Sequence, residues 1–314
     1  MDFNHQPEIE RLVQNIRKVF IGDTEVVRLV VSTLLARGHL LIEDVPGIGK
    51  TLLGIALARS IESIFRRIQF TNDLLPSDLL GLSVYNPREN TFEFKIGPLF
   101  SNIVLADEIN RTTPKTQSAL LEAMNDLQVT VDGHTYPLPE PFMIIATQNP
   151  IEYHGTFPLP EAQLDRFLIR LKIGYPPPDS EKEIIRGKDL YQQAGRLEPV
   201  LGADDVRELQ NRVDEVKVED SLLGYIIQIA AETRRTKQIK LGVSPRGALL
   251  LRHAAQAYAF TLGRNYVTPD DIKQVAVPVL AHRIVIDSHS YGLMRIQESD
   301  AMIEDILKRV PVPI

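Results

Sequence analysis

The run Glu43-Asp44-Val45-Pro46-Gly47-Ile48-Gly49-Lys50-Thr51 carries the residue types that hold a polyphosphate. Gly47 and Gly49 let the backbone curl so that successive N–H groups converge on an anion. The run follows an apolar stretch, His39–Ile42, and precedes a helical one, Leu52–Ile61, giving the order strand, loop, helix. Lys50 falls in the first helical turn, where the helix dipole disfavours a cation unless an anion sits beside it. Thr51 adds a hydroxyl suited to Mg²⁺. On this reading Asp44, Val45, Pro46, Gly47, Ile48, Gly49, Lys50, Thr51 and Leu52 form a phosphate-binding segment. The strict pattern has Gly where Asp44 stands, and an ordinary Pro-Gly turn before a helix is the plainer alternative.

Farther on, Ile103-Val104-Leu105-Ala106 runs into Asp107-Glu108. An apolar strand ending in two carboxylates suits metal-assisted hydrolysis of a phosphoanhydride: Asp107 in the metal's shell, Glu108 polarising the attacking water. Taken alone, the pair reads equally well as an exposed strand end. The next apolar run, Phe142–Thr147, ends in Gln148-Asn149-Pro150, and Asn149 can orient water or sense a terminal phosphate, although Asn-Pro by itself marks a turn. Arg166, just before another strand-like run, is a candidate arginine finger for a neighbouring subunit. The local alternative is a salt bridge to Asp165 or Glu161, and Arg170 is a lesser candidate. Arg246, in Ser244-Pro245-Arg246-Gly247, is a second cation in a helix's first turn and calls for an anion, either a γ-phosphate or a nearby carboxylate.

These residues need elements to position them. His39–Glu43, Phe65–Phe70, Asn102–Asp107, Phe142–Thr147 and Phe167–Ile173 read as buried strands with helical patterns between most of them, which predicts an α/β fold around a parallel sheet. Leu82–Ile96 and Gln128–Leu138 read as hairpins, the second turning at Asp132-Gly133. Gly174-Tyr175-Pro176-Pro177-Pro178 ends the sheet pattern and reads as a linker. Beyond it, helix starts recur: a capping box at Ser180–Glu183, an N-cap at Ser244-Pro245 whose helix Gly263 closes, and another start at Thr268-Pro269. The division predicted is an α/β nucleotide-binding domain over residues 1–175 and an all-helical domain over 176–314.

The 314 residues supply enough apolar material, 44%, for two cores. The net charge of −6 argues against a protein that lives on nucleic-acid phosphates, and no nucleic-acid partner is expected. With no Cys there is no disulfide frame and no thiolate chemistry. The start of the chain lacks the basic and apolar regions of a signal peptide, and no apolar run is long enough to span a bilayer, so the expectation is a cytoplasmic protein.

The motifs together resemble the AAA+ superfamily, and their wording is similar to the MoxR family. The phrases that carry the likeness are Leu41-Ile42-Glu43-Asp44-Val45-Pro46-Gly47 with Gly49-Lys50-Thr51, Leu105-Ala106-Asp107-Glu108-Ile109-Asn110-Arg111, the stretch Pro114–Met124, and Ala146-Thr147-Gln148-Asn149-Pro150-Ile151-Glu152. Gly155–Phe167, Leu241–Arg246 and Val310-Pro311-Val312-Pro313 extend it over nearly the whole chain. Asp44, which broke the strict loop pattern, is typical of this family. The resemblance implies an AAA+ P-loop module with a five-stranded parallel sheet of order 5-1-4-3-2, followed by a helical lid. It makes 82–96 the helix-two insert and 128–138 the pre-sensor hairpin. It also implies ATP and Mg²⁺ as cofactors, with Lys50, Thr51, Asp107 and Glu108 serving them, Asn149 as sensor 1, Arg166 as a finger acting in trans, and Arg246 as sensor 2 on the lid that closes over the nucleotide.

The family is regarded as chaperone-like. The resemblance therefore implies a hexameric ring, a von Willebrand factor A domain partner and a client complex that is matured or activated. A magnesium-chelatase-like motor subunit, a DNA-dependent motor and a slow-turnover nucleotide-gated scaffold are the alternatives. The chain departs from the family at Asn72, often Pro, near where a switch residue would meet Glu108. It departs again at His154, usually Glu, which is either a pH-sensitive interface group or a solvated loop residue, and at Asn125-Asp126-Leu127, which replaces a more charged stretch.

Overall fold

The computed structural model describes residues 6–45, 47–149, 156–176, 178–186, 189–288 and 292–313, without the side chains of Ser180, Glu183 and Ile184. Pro46, Pro177, residues 150–155 with His154, and the Ser180–Glu183 capping box therefore lie outside the described features. The chain opens with α1 (Gln6–Arg17) and α2 (Thr24–Leu35), then β1 (Leu40–Glu43), α3 (Lys50–Ser60), β2 (Phe65–Gln69), α4 (Pro76–Leu80) and the hairpin β3 (Gly81–Asn86) and β4 (Thr91–Ile96). Next come β5 (Ile103–Asp107), α5 (Pro114–Asp126), the hairpin β6 (Gln128–Val131) and β7 (His134–Pro137), β8 (Met143–Gln148), α6 (Glu161–Leu164) and β9 (Ile169–Leu171). The remainder is α7 (Pro178–Ile185), α8 (Leu190–Gly195), α9 (Ala203–Val213), α10 (Asp220–Arg235), β10 (Ile239–Leu241), α11 (Pro245–Thr261), α12 (Pro269–Leu280), β11 (Val285–Ile286) and α13 (Gly292–Arg309).

Five parallel strands form the main sheet in the order β2-β5-β8-β1-β9. Counted by strand, this is the predicted 5-1-4-3-2 arrangement. Alternation of side chains explains why both faces are dry. Leu40, Ile42, Ile103, Leu105, Met143 and Ile145 join one apolar core. Leu41, Val104, Ala106, Ile144 and Ala146, one residue out of phase, join the other. All of these residues are buried, as parallel sheets covered by helices require.

The first core runs without a break from α1, α2 and α3 into α9, α10, α11 and α12, so the amino-terminal helices bridge the sheet and the carboxy-terminal helices. Arg28 of α2, for instance, donates to the carbonyl of Thr261 at the end of α11. The helix signals hold at atomic detail. Ser244 Oγ accepts from Gly247 N at 3.1 Å, Thr268 and Asp271 cap reciprocally, and Gly263 takes φ +77° after α11.

The second half is not wholly helical. β10 and β11 pair antiparallel, Ile239 opposite Ile286. Both isoleucines are buried in the first core, so the ribbon forms through tertiary packing that these two very short runs do not announce in sequence.

The strands also prove shorter than the apolar runs suggested. Asn102 and Phe142 lie just outside them: the Asn102 side chain holds Ile64 N and the carbonyl of Pro141, and Phe142 packs edge-on against His39. Both predicted hairpins are present. Asp132 and Gly133 have φ +50° and +78°, as a tight hairpin turn demands. The hairpins touch through Phe94 of β4, which stacks on Tyr136 of β7 at 4.1 Å between ring centroids.

Candidate active site

Parallel pairing decides what meets at the sheet's carboxyl edge. With Glu43 opposite Gln148, Ala106 opposite Ala146 and Gln69 opposite Asp107, the ends of β1, β2, β5 and β8 emerge side by side. The Gly47–Gly49 loop, Asp107-Glu108 and Gln148-Asn149 therefore lie together although the sequence separates them by many tens of residues. Ligands of open α/β sheets bind at such an edge.

Gly47 and Gly49 have φ +88° and +89°, and Gly49 is the N-cap of α3, leaving the first-turn N–H groups of that helix uncapped by a side chain. Lys50 Nζ donates to the main-chain oxygen of Asp44 at 2.6 Å. Burial pushes the Lys50 ammonium below its usual range, against the pull of Asp44, Asp107 and Glu108. A polyphosphate in the loop would supply the anion this cation faces. Phe20, Gly22, Gly47, Gly49, Leu52 and Tyr175 help to line an adjoining cavity of about 860 Å³, of the size that takes a small ligand.

The acidic pair is held closely. Asp107 Oδ1 accepts from Thr147 Oγ1 at 2.6 Å, and Thr147 Oγ1 in turn accepts from Glu108 N at 2.9 Å. Asp107 Oδ2 accepts from Arg67 Nε at 3.1 Å and Nη2 at 2.6 Å. Glu108 sits in the left-handed region at φ 58°, a costly conformation for a non-glycine residue and one that clusters at functional sites. Its Oε2 accepts from Gln69 Nε2 at 2.9 Å and pairs with Arg111 Nε at 3.0 Å. Among the described residues, the buried amide oxygens of Gln148 and Asn110 have no hydrogen-bond partner in the chain.

Three of these groups escaped sequence reasoning. Arg67 and Gln69 lie on β2 and face the acidic pair, whereas the Asn72 position, three residues on, is an exposed turn. The alternation of exposed Arg67 and Gln69 around buried Ile68 was the signal available. Thr147 lay inside a run read only as a strand.

No group of three or more His, Asp and Glu that could hold a metal ion occurs among the described residues. Mg²⁺ takes one or two protein oxygens and leaves the rest to phosphate and water. Asp107 and the Thr51 hydroxyl are the donors suited to it.

The arginines lie elsewhere. β9 runs parallel to β1, with Ile169 opposite Leu40, so Asp165 and Arg166 precede the sheet edge where β1 begins, while the phosphate loop leaves the edge where β1 ends. Arg166 donates to the carbonyl of Leu121 at 2.8 Å and borders a small surface cavity with Glu122 and Asp126. Asp165 is taken by Arg283 at 2.9 Å and by Arg246 at 3.5 Å. Arg246 thus meets a carboxylate beside Arg166, at the sheet edge opposite the one the phosphate loop leaves. Arg170 is buried between Glu43 at 3.4 Å and Asp300 of α13 at 2.5 Å, a clamp between sheet and lid, while burial pushes the Glu43 carboxyl up.

Comparison with known proteins bears on the family and the fold. Residues 39–169 match the family described as ATPase family associated with various cellular activities (AAA), and residues 231–306 match the AAA lid domain. The chain is 48% identical to the Bacillus subtilis protein YeaC, covering 98% of this chain and 96% of that one. It is 38% identical to Chaperone MoxR1 of Mycobacterium tuberculosis, covering 97% and 82%. The crystal structure of a Cytophaga hutchinsonii protein assigned as an ATPase superposes with a TM-score of 0.87 at 38% identity, covering 99% of this chain and 96% of that one.

Proposed function

The chain belongs to the MoxR family of AAA+ ATPases, and from that premise we propose a ring motor whose nucleotide is served by two subunits at once. ATP hydrolysis is its reaction. The observation that carries the proposal is the meeting of Lys50, Asp107, Glu108 and Asn149 at one sheet edge, with Arg246 paired to Asp165, the chain neighbour of Arg166, at the other.

The loop N–H groups and Lys50 bind the phosphates, and Thr51 and Asp107 hold Mg²⁺. When bound, the ion neutralises charge on the phosphate oxygens. Glu108 orients the attacking water and takes its proton, with Asn149 beside it. Gln69 and Arg111 share Oε2 of Glu108 and so set the orientation of that carboxylate.

Arg166 and Arg246 act on the nucleotide of the adjacent subunit. This departs from a lid arginine that closes over its own subunit's nucleotide, and it is supported by the seat of Arg246 on Asp165. An isolated subunit then turns over slowly, since a finger supplied in trans contributes about 10³–10⁵ in rate. A hexamer is the assembly this reading favours.

Its work is chaperone-like remodelling of a client complex in the cytoplasm, where ATP is plentiful, with a von Willebrand factor A domain protein as partner. Leu82, Tyr85, Phe92 and Ile96 expose apolar surface on the β3–β4 hairpin and are suited to a protein contact. No helix among the described residues is long and apolar enough to cross a membrane.

The test is Glu108→Gln. It should bind ATP as the parent does and hydrolyse it at least ~100-fold more slowly. Parental turnover in that variant would remove Glu108 from the reaction.

A further inference from the structure

Asp44 stands where the strict phosphate-loop pattern has Gly, and its side chain leaves the loop. Oδ1 accepts from Val45 N at 2.8 Å, within the loop. Oδ2 accepts two N–H groups from residues that help to line the cavity, Gly174 at 2.7 Å and Ile173 at 2.9 Å. Those residues follow β9 and begin the linker to the helical half. Gly174 has φ +72°, which turns the chain sharply there. Beyond it, Tyr175 and Pro176 join the wall of the same cavity that Gly47, Gly49 and Leu52 line. Tyr175 is 78% exposed, so no packing beneath its ring fixes it in place. The charge-assisted pair of bonds from Asp44 is the fastening at the base of that wall.

We propose that Asp44 is a positioning residue that ties the phosphate loop to the linker and so holds the Tyr175 wall against the base of the nucleotide. It thereby selects a nucleoside triphosphate over a bare polyphosphate. The inference rests on the reading of this cavity as the ATP site. A glycine at position 44 would leave phosphate binding to the loop and release the wall. An asparagine would keep a side-chain oxygen able to accept the same two N–H groups.

The experiment is calorimetry with Mg²⁺ present, using a non-hydrolysable ATP analogue and inorganic tripolyphosphate as the two probes. The proteins are the parent, Asp44→Ala, Asp44→Asn, Tyr175→Ala and the Asp44→Ala/Tyr175→Ala pair. Asp44→Ala should weaken the nucleotide analogue about tenfold or more, the scale of a lost hydrogen bond to a charged group, and should weaken tripolyphosphate by a smaller factor, that of its bond to Val45 N within the loop. Tyr175→Ala should weaken the analogue and leave tripolyphosphate within about twofold. Asp44→Asn should restore most of the loss. The double variant should be no weaker than the worse single one, because both remove the same contact. Equal loss of both probes in Asp44→Ala, no loss of either, or losses that multiply in the double variant would each overturn the tether. If the parent binds neither probe, the ATP-site reading itself fails, a result distinct from parental binding that the Asp44 variants do not discriminate.

Discussion

Replacing Arg67 by Gln should lower the Mg²⁺ concentration needed to load nucleotide. Arg67 lies on the edge strand β2 and directs Nε and Nη2 at a single carboxylate oxygen, Asp107 Oδ2, at 3.1 and 2.6 Å. Asp107 is the carboxylate suited to the metal shell, so guanidinium and cation compete for it. Hydrogen bonds to charged groups contribute ~1.5–3 kcal/mol when shielded, whereas exposed ion pairs contribute ~0.2–1. The Arg67 side chain is half exposed while that of Asp107 is mostly buried, which places this pair at about 1 kcal/mol after allowing for solvent. That corresponds to a roughly fivefold shift in a binding constant. The assay is a MgCl₂ titration of a fluorescent ATP analogue at constant ionic strength, in the Glu108→Gln background so that nothing is consumed. The half-saturating Mg²⁺ should fall about fivefold, and binding in excess chelator should stay as in the parent. A midpoint that is unchanged, or that rises, would falsify the competition, and a rise would make Arg67 an aid to the metal.

Other expectations follow from the same geometry. Arg166→Ala mixed with Glu108→Gln should recover part of the hydrolysis that neither variant shows alone; a mixture that co-assembles and remains inactive rules out a finger acting across the interface. His39, His253 and His282 are all held below the usual histidine range, first of all by burial, His39 to about 4. Each is protonated more readily in the unfolded chain, so stability is fully present above about pH 6.5 and falls as pH drops toward 4, by up to ~1.4 kcal/mol per pH unit for each histidine. Urea melts at several pH values measure that slope. His39→Asn, which keeps an acceptor for Ile144 N, should flatten it, and an unaltered slope would exclude His39 as a source. Tyr136→Ala removes the ring on which Phe94 stacks and should cost on the order of 1 kcal/mol. It should also speed tryptic cleavage at Arg88 in the β3–β4 turn, and an unchanged cleavage rate would mean that the hairpins are not braced by that stack.

Features whose physics is local were legible in the amino-acid sequence. Glycines beside a lysine at a strand-to-helix junction, carboxylates at the end of an apolar run, caps such as Ser244 and Thr268, and the Asp132-Gly133 turn all act through near neighbours, so residue type and spacing sufficed. The strand pattern was legible for the same reason where short apolar runs are buried on both faces, as in β1, β5 and β8, whereas β2, read as a buried strand, exposes Arg66, Arg67 and Gln69 at the sheet edge.

Tertiary structure decided what depends on which segments become adjacent. Gln69 and Arg67 acquire meaning only when β2 pairs with β5 and brings them to Glu108 and Asp107. Arg246 read as a cation wanting an anion, but whether phosphate or carboxylate answered it depended on α11 reaching Asp165, 81 residues away in the chain. The small β10–β11 ribbon, and the passage of the amino-terminal helices into the lid core, are likewise set by burial against distant elements. Asp44 shows both sides. Its presence was visible as a departure from a pattern, while its two bonds to the linker exist because parallel pairing of β1 and β9 lays their ends side by side.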